Sequence, residues 1–120
     1  MRDWIAVVSE DTWPEVLDIH PESWGASNPK YSKMVEVGDR FWFYMTGIGC
    51  LMGCATISDN PYKADESSTL PDWMRSHLHR YPIKLSPMVI RDPHRGLPAS
   101  VFDDFPLSVQ LSNGLAPWGD

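Results

Sequence analysis

The sequence contains little cysteine, little positive charge and no long hydrophobic run. Its 120 residues include two cysteines, Cys50 and Cys54, and their close spacing inside an apolar stretch favours buried thiols over a secreted disulfide framework. No apolar segment approaches the ~20 residues that a membrane-spanning helix requires, and the first residues lack the layout of a signal peptide. We therefore expect a cytoplasmic protein without a membrane partner.

Basic residues are outnumbered by acidic ones. Ten Lys and Arg against 16 Asp and Glu give a formal net charge of -6, which argues against a protein that holds nucleic acid mainly by neutralising phosphates. Any nucleic-acid contact is expected to be local. The length, with 42% hydrophobic and 22% charged residues, predicts one globular domain over residues 1–120 that needs no disulfide or structural metal.

Tryptophan, in contrast, is abundant, with six copies in the chain. That is more than one small core readily accommodates, because the side chain is bulky and its N–H needs a partner. Trp24 lies in a polar stretch, residues 21–33, that is predicted to be a loop, and Trp73 lies in the first turn of a helix predicted over residues 69–80. Two interpretations remain open for this pair: they seal the ends of a barrel, or they stand in a binding site.

Short apolar segments separated by turns predict an α+β fold built on a small barrel, because no regular βαβ rhythm is present. Strands are predicted at residues 4–9, 40–45, 50–57, 81–85 and 107–111, and a first helix over residues 12–20, opened by a Thr-x-x-Glu capping box. Alternation places Arg40, Trp42 and Tyr44 on one face of their strand. Gly53, inside the next strand, predicts a bulge or a close backbone approach.

Patterns typical of catalysis or metal binding are incomplete. Cys50 and Cys54 lack the two further ligands of a tetrahedral zinc site, and Asp92-Pro93-His94 offers an acid–histidine pair without a nucleophilic Ser or Cys. No phosphate-binding glycine loop precedes a helix. We expect no enzymatic activity, no metal and no cofactor.

Several motifs in a fixed order resemble one family. They are Trp4-Ile5-Ala6-Val7-Val8-Ser9, Ser23-Trp24-Gly25, Val37-Gly38-Asp39-Arg40 with Phe43-Tyr44, and Gly53-x-Ala55-x-Ile57 followed by Pro61-Tyr62. From Met1 to about Leu85 the chain resembles the EVE domain, a member of the PUA-like superfamily related to YTH domains. The resemblance implies a PUA-like mixed β-barrel of about five to six strands, flanked by short helices.

The same resemblance implies a pocket for a modified base, such as methylated cytosine or adenine, swung out of DNA or RNA. Trp24 corresponds to the loop tryptophan that forms one wall of the aromatic cage in YTH domains, and Trp73 is the nearest match to a second wall. Ser9 and Glu10 fall where YTH domains place polar residues that read the base edge. Polar groups are needed at that edge because stacking alone does not distinguish bases.

Further candidates complete this predicted site. Tyr44 and Asp59 are candidates for hydrogen bonds to the base edge. The basic residues proposed for phosphate contacts are Lys30, Lys33, Arg75 and Arg80, with ordinary solvated charge as the alternative.

The sequence thus predicts a reader of modified bases in DNA or RNA, acting alone or beside an effector protein such as a nuclease. The alternative is a small-molecule or protein-interaction module that uses the same pocket, and the net charge of -6 favours it. Replacing Trp24 or Trp73 with Ala is expected to weaken base binding without unfolding the domain. Early melting of either variant would instead identify that Trp as part of the core.

Overall fold

The protein is built on one curled, half-barrel sheet. The computed structural model describes residues 1–19, 21–26, 30–64, 79–105 and 114–118. Over these residues the elements are β1 (Asp3–Val8), α1 (Trp13–Asp18), β2 (Ser23–Ala26), β3 (Arg40–Met45), β4 (Cys50–Ile57), β5 (Tyr62–Lys63), β6 (His79–Leu85), β7 (Leu97–Pro98) and β8 (Leu115–Pro117), with 3₁₀ turns at Pro93–Arg95 and Ala99–Val101. The predicted α+β class and the small PUA-like barrel are confirmed.

The described strands form one mixed sheet in the order β2-β6-β4-β3-β1-β8, with β5 paired to β6 and β7 paired to β4. Only β1 and β3 are parallel within it, and the segment between them includes α1 and β2. Such a connection is needed because parallel neighbours cannot be joined by a tight turn. In the described part of the chain, no helix is long and apolar enough to cross a membrane.

The two faces of the sheet differ in burial. In β3, Phe41, Phe43 and Met45 are buried, whereas the alternating positions, Arg40 and Trp42 among them, are half-buried. The predicted alternation is therefore confirmed. The buried face packs against the aromatic core, where the Trp13 ring lies 5.2 Å from that of Phe43. The other face is available for a site.

Asp39 fixes the start of β3 to β1. Its Oδ2 accepts hydrogen bonds from Trp4 Nε1 at 3.0 Å and from the Glu36 N–H at 3.0 Å, and its Oδ1 accepts one from the Arg2 N–H at 2.9 Å. Burial acts to raise the pKa of this carboxyl, but the hydrogen bonds from Glu36, Trp4 and Arg2 outweigh burial and hold it below its ordinary value. Asp39 is thus a charged structural residue inside the fold.

Two predicted boundaries are wrong, and three further strands were not predicted. Residues 23–26 form β2 and not a loop, because their backbone groups pair with β6. His79 and Arg80 begin β6 and do not end a helix. The remainder of that predicted helix and the predicted strand over residues 107–111 lie outside the described residues. The unpredicted strands are β5, β7 and β8, which pair with β6, β4 and β1 respectively.

Gly53 permits a close approach of two backbones, as predicted. The register of β4 against β3 shifts beside it, its φ is +128°, and a Cβ there would lie 2.8 Å from Val89 Cα. Gly53→Ala is therefore expected to lower the free energy of unfolding by about 2 kcal/mol, measured by urea denaturation.

A matched control separates the close contact from the backbone conformation. Gly38 also has a positive φ, of +93°, but a Cβ there would meet nothing within 4 Å. Gly38→Ala should lower the free energy of unfolding by less than Gly53→Ala does, because it introduces similar backbone strain without a steric clash. Equal losses in the two variants would contradict the role assigned to Val89.

Candidate functional site

The polar residues predicted to read a base edge do not converge on one place. Ser9 and Tyr44 lie near the same end of the parallel pair, where Val7 is the register partner of Tyr44. Asp59 follows β4 at the opposite end, because Thr56 is paired with Arg40 at the start of β3. Arg40 and Tyr44 are four residues apart along one strand, which corresponds to roughly 13 Å. The predicted polar set is therefore divided between two ends of the sheet.

The side chain of Ser9 makes hydrogen bonds to nearby Thr12. Its Oγ lies 2.9 Å from Thr12 Oγ1 and accepts a hydrogen bond from the Thr12 N–H at 3.2 Å. Thr12 Oγ1 in turn accepts from the Ser9 N–H at 3.1 Å, so it does not cap α1 and the predicted capping box does not form. Glu10 is exposed in the adjoining turn.

The other predicted edge-reading residues have local contacts as well. Asp59 is exposed and accepts a hydrogen bond from the neighbouring Asn60 N–H at 2.7 Å. Tyr44 is half-buried, with its ring 4.9 Å from that of Phe105. Their role in binding a base stays a prediction.

The basic residues predicted to contact phosphate groups differ in their solvent exposure. Lys30 and Lys33 are exposed, and Lys30 Nζ lies 5.2 Å from the centre of the Tyr31 ring. Arg80 is only 2% exposed, and its Nη2 donates to Ser23 O at 3.0 Å and Ser23 Oγ at 2.8 Å. Burial lowers the pKa of Arg80. We correct its assignment from a surface phosphate contact to a structural link between β2 and β6. Arg75 and Trp73 lie outside the described residues.

Trp24 lies in the core and not in a loop. It is 5% exposed on β2, with its ring 5.5 Å from Phe41 in an edge-to-face contact and 5.7 Å from Tyr81. The rings of Phe41 and Tyr81 are themselves 5.3 Å apart. We call Trp24, Phe41 and Tyr81 the inner aromatic cluster. Of the two alternatives open to Trp24, the geometry shows the packing role, and stacking on a base stays a prediction.

Tyr81 carries an unusual polar group within this cluster. The residue is 0% exposed, and its hydroxyl has no hydrogen-bond partner in the described part of the chain. Burial raises the pKa of Tyr81 to about 12. Buried hydroxyls are normally hydrogen-bonded, and leaving one without a partner costs about 1–3 kcal/mol. The hydroxyl is therefore a buried polar group beside Trp24 with no partner among the described residues, and sequence reasoning missed it because Tyr81 looked like an ordinary strand residue.

A cavity opens on the opposite face of the sheet. We call it the outer cavity, the space of about 440 Å³ bounded chiefly by Asp3, Trp42, Leu51, Phe102, Asp104 and Trp118. The Trp118 ring meets Trp42 at 5.9 Å and 86°, and Phe102 at 5.2 Å and 88°. β8 sets this arrangement, since Trp118 directly follows it and the backbone N–H of Trp118 donates a hydrogen bond to the backbone oxygen of Asp3 at 2.9 Å. Sequence reasoning assigned no role to Trp118, one of the six tryptophans.

The fold is that of a small PUA-like α+β barrel. A scan against protein-family models finds no match, and a search of curated proteins finds none either. Solved structures do match. The Atu2648 protein of Agrobacterium tumefaciens has a TM-score of 0.58 at 13% identity, over 98% of this chain and 84% of that one.

YTH domains are also among the similar structures. The YTH domain of Zygosaccharomyces rouxii MRB1, solved in complex with N6-methyladenosine RNA, has a TM-score of 0.53 at 14% identity, over 97% of this chain and 69% of that one. The Mmi1 YTH domain, solved with RNA, has a TM-score of 0.52 at 19% identity, over 70% of this chain and 51% of that one. This chain thus spans about half of the Mmi1 chain. The predicted EVE- and YTH-related fold is confirmed.

Proposed function

We propose that this protein is a non-catalytic module that binds nucleic acid and recognises a modified base. The observation that carries the proposal is the likeness of fold to a YTH domain in complex with N6-methyladenosine RNA, which extends over 97% of this chain. An effector protein, such as a nuclease, is the partner that would act on what the module binds.

The inner aromatic cluster supports a base-centred mode of binding. In this mode the base would stack on the Trp24 indole, worth roughly 1–3 kcal/mol per base, and meet the Tyr81 hydroxyl next to it. Because the two residues are only 5% and 0% exposed, base binding requires the cluster to open. With a net charge of -6, few cations are available to hold phosphates. Affinity should therefore depend on the base more than on the backbone.

Titration with labelled oligonucleotides tests the proposal. RNA and DNA strands that carry one N6-methyladenosine or one 5-methylcytosine are compared with unmodified strands of the same sequence, by fluorescence anisotropy. We expect a preference for one modified strand, and a slope of log affinity against log salt no steeper than about −2, as expected for one or two phosphate contacts. Equal affinity for modified and unmodified strands would rule the proposal out.

Tyr81→Phe separates a binding role from a packing role. Removing a hydroxyl that has no protein partner should leave the free energy of unfolding unchanged or raise it by about 1 kcal/mol. If the hydroxyl contacts the base, affinity for the modified strand falls roughly 3- to 10-fold. Tyr62→Phe, at an exposed tyrosine, is the matched control. A variant that is stable and binds as tightly as the wild type would remove Tyr81 from the site.

Alkaline pH reports on the same hydroxyl. The pKa of Tyr81 is about 12 in the folded protein, against about 10 in an unfolded chain. The folded state therefore holds this proton more tightly, and stability that is present below pH 10 is lost as the pH rises through about 12. Urea denaturation should show a decline of up to about 3 kcal/mol that Tyr81→Phe removes and Tyr62→Phe keeps. An unchanged decline in Tyr81→Phe would contradict the buried setting.

A further inference from the structure

We propose that the outer cavity is a second binding site, for a methylated ammonium group. The inference goes beyond nucleic-acid binding and does not rest on it, because the cavity lies on the opposite face of the sheet from the inner aromatic cluster.

The walls of the cavity are built to receive a compact organic group. Trp42, Phe102 and Trp118 all line the cavity, and the first two each meet Trp118 edge to face at nearly a right angle. The volume of about 440 Å³ is within the range of small-molecule pockets, and Leu51 adds apolar lining. Such a box favours a ligand with apolar surface on several sides.

The charge of the cavity selects a cation. Two carboxylates, Asp3 and Asp104, line it, and none of the described residues that line it is basic. Asp3 is held in place, since it accepts hydrogen bonds from Arg40 Nε at 2.8 Å and from Trp42 Nε1 at 3.0 Å. Arg40 neutralises this carboxylate, whereas no described cation pairs with Asp104. A phosphate would be repelled here, which separates this site from one for a nucleic-acid backbone.

Aromatic faces attract cations, and within the protein the ring of Trp42 already contacts the guanidinium of Arg40. The Arg40 guanidinium lies 5.5 Å from the centre of the Trp42 ring. Quaternary ammonium groups suit aromatic cages because their charge is attracted by the rings while their methyl groups pack against them. An unmethylated ammonium is strongly hydrated and would lose that hydration on entering an apolar cavity. The methylated group is therefore the chemistry that fits both the walls and the charge.

The test uses choline and its neutral isostere, 3,3-dimethyl-1-butanol, titrated into the full chain. Binding is followed by the NMR signals of the indole N–H groups, with those of Trp42 and Trp118 assigned from Phe variants. We expect choline to shift both signals and the neutral isostere to shift neither. Equal binding of the two molecules, absence of binding by choline, or displacement of choline by inorganic phosphate would each overturn the proposal.

A pair of neighbouring carboxylates provides matched variants. Asp104→Asn should weaken choline binding roughly 3- to 10-fold through loss of one nearby charge, whereas Asp103→Asn, at an exposed residue outside the lining, should not. Trp118→Ala should weaken it roughly 3- to 30-fold, the range of one cation–π contact. Trp118→Ala also removes a packed ring. If that variant fails to fold, Asp104→Asn, at an exposed residue, decides the outcome. Equal effects of the two Asn variants would overturn the proposal.

The source of the methylated group is decided by a second pair of ligands. A short peptide with one trimethyllysine is compared with the same peptide carrying unmodified lysine, and both are compared with choline. Tighter binding of the trimethyllysine peptide than of choline assigns the site to a modified protein, and the reverse order assigns it to a free small molecule. Loss of discrimination between the two peptides would contradict the chemistry proposed. Tyr81→Phe should leave all of these affinities unchanged, which distinguishes this site from the proposed base site.

Discussion

Replacing Asp39 with Asn is expected to lower the free energy of unfolding by about 3 kcal/mol. The carboxylate accepts hydrogen bonds from three donors, Arg2 N–H, Trp4 Nε1 and the Glu36 N–H, with one or two donors at each oxygen. An amide offers a single acceptor oxygen, so at least one donor would face the NH₂ group. Trp4 is fully buried, so its indole N–H is the donor whose loss of an acceptor would cost most.

The dependence of the free energy of unfolding on acidic pH tests the same interaction. Since the pKa of Asp39 lies below its ordinary value in the folded protein, its contribution is present above the unfolded pKa of about 4 and is lost as the pH falls through the folded value. Urea denaturation from pH 7 to pH 2 should therefore show a steeper acid loss in the wild type than in Asp39→Asn. Asp59→Asn, at an exposed carboxylate, is the control, with a change within about 0.5 kcal/mol at pH 7. Parallel acid limbs for wild type and Asp39→Asn would contradict the assignment.

The strands that could be predicted are those whose own pattern determines them. β3 alternates between large apolar and half-buried residues, and β4 follows it through a tight connection, so local sequence indicates both. β2 has no such pattern: Gly25 interrupts it, and the segment becomes a strand only because β6 supplies hydrogen-bond partners. β8 is equally short, and its pairing with β1 depends on residues more than a hundred positions earlier in the chain. Pairing of this kind cannot be derived from composition.

The candidate sites likewise depend on contacts between residues that are distant in sequence. The excess of tryptophan suggested that some rings serve more than a core, but it did not indicate which ones. Trp24 looked exposed because its sequence neighbours are polar, yet Phe41 and Tyr81, distant in sequence, enclose it. Trp118 had no role assigned from the sequence, yet with its contacts to Phe102 and Trp42 it forms a wall of the outer cavity. Ring environments of this type depend on tertiary contacts, which the sequence does not display.

Trp24→Ala is expected to lower the free energy of unfolding by about 3–5 kcal/mol, because it removes a buried ring that packs against Phe41 and Tyr81. This replaces the expectation that the variant binds less tightly and stays fully folded. A loss of that size is a large part of the total stability of a small domain, about 5–15 kcal/mol, so binding data for this variant would report unfolding. Thermal and urea denaturation give the measurement. A loss below about 1 kcal/mol would contradict the core position of Trp24.

Trp24→Phe is the variant that isolates stacking on a base. A phenyl ring keeps much of the packing, so stability should fall by about 1–2 kcal/mol, while a smaller stacking face should reduce the preference for the modified strand roughly 5-fold or more. Trp13→Phe is the matched control: Trp13 is equally buried, contacts Phe43, and donates its indole N–H to Ile90 O at 2.9 Å. It should lose at least as much stability and keep the preference. If the two variants change base preference equally, Trp24 acts only through the core, and the base site must be sought away from the inner aromatic cluster.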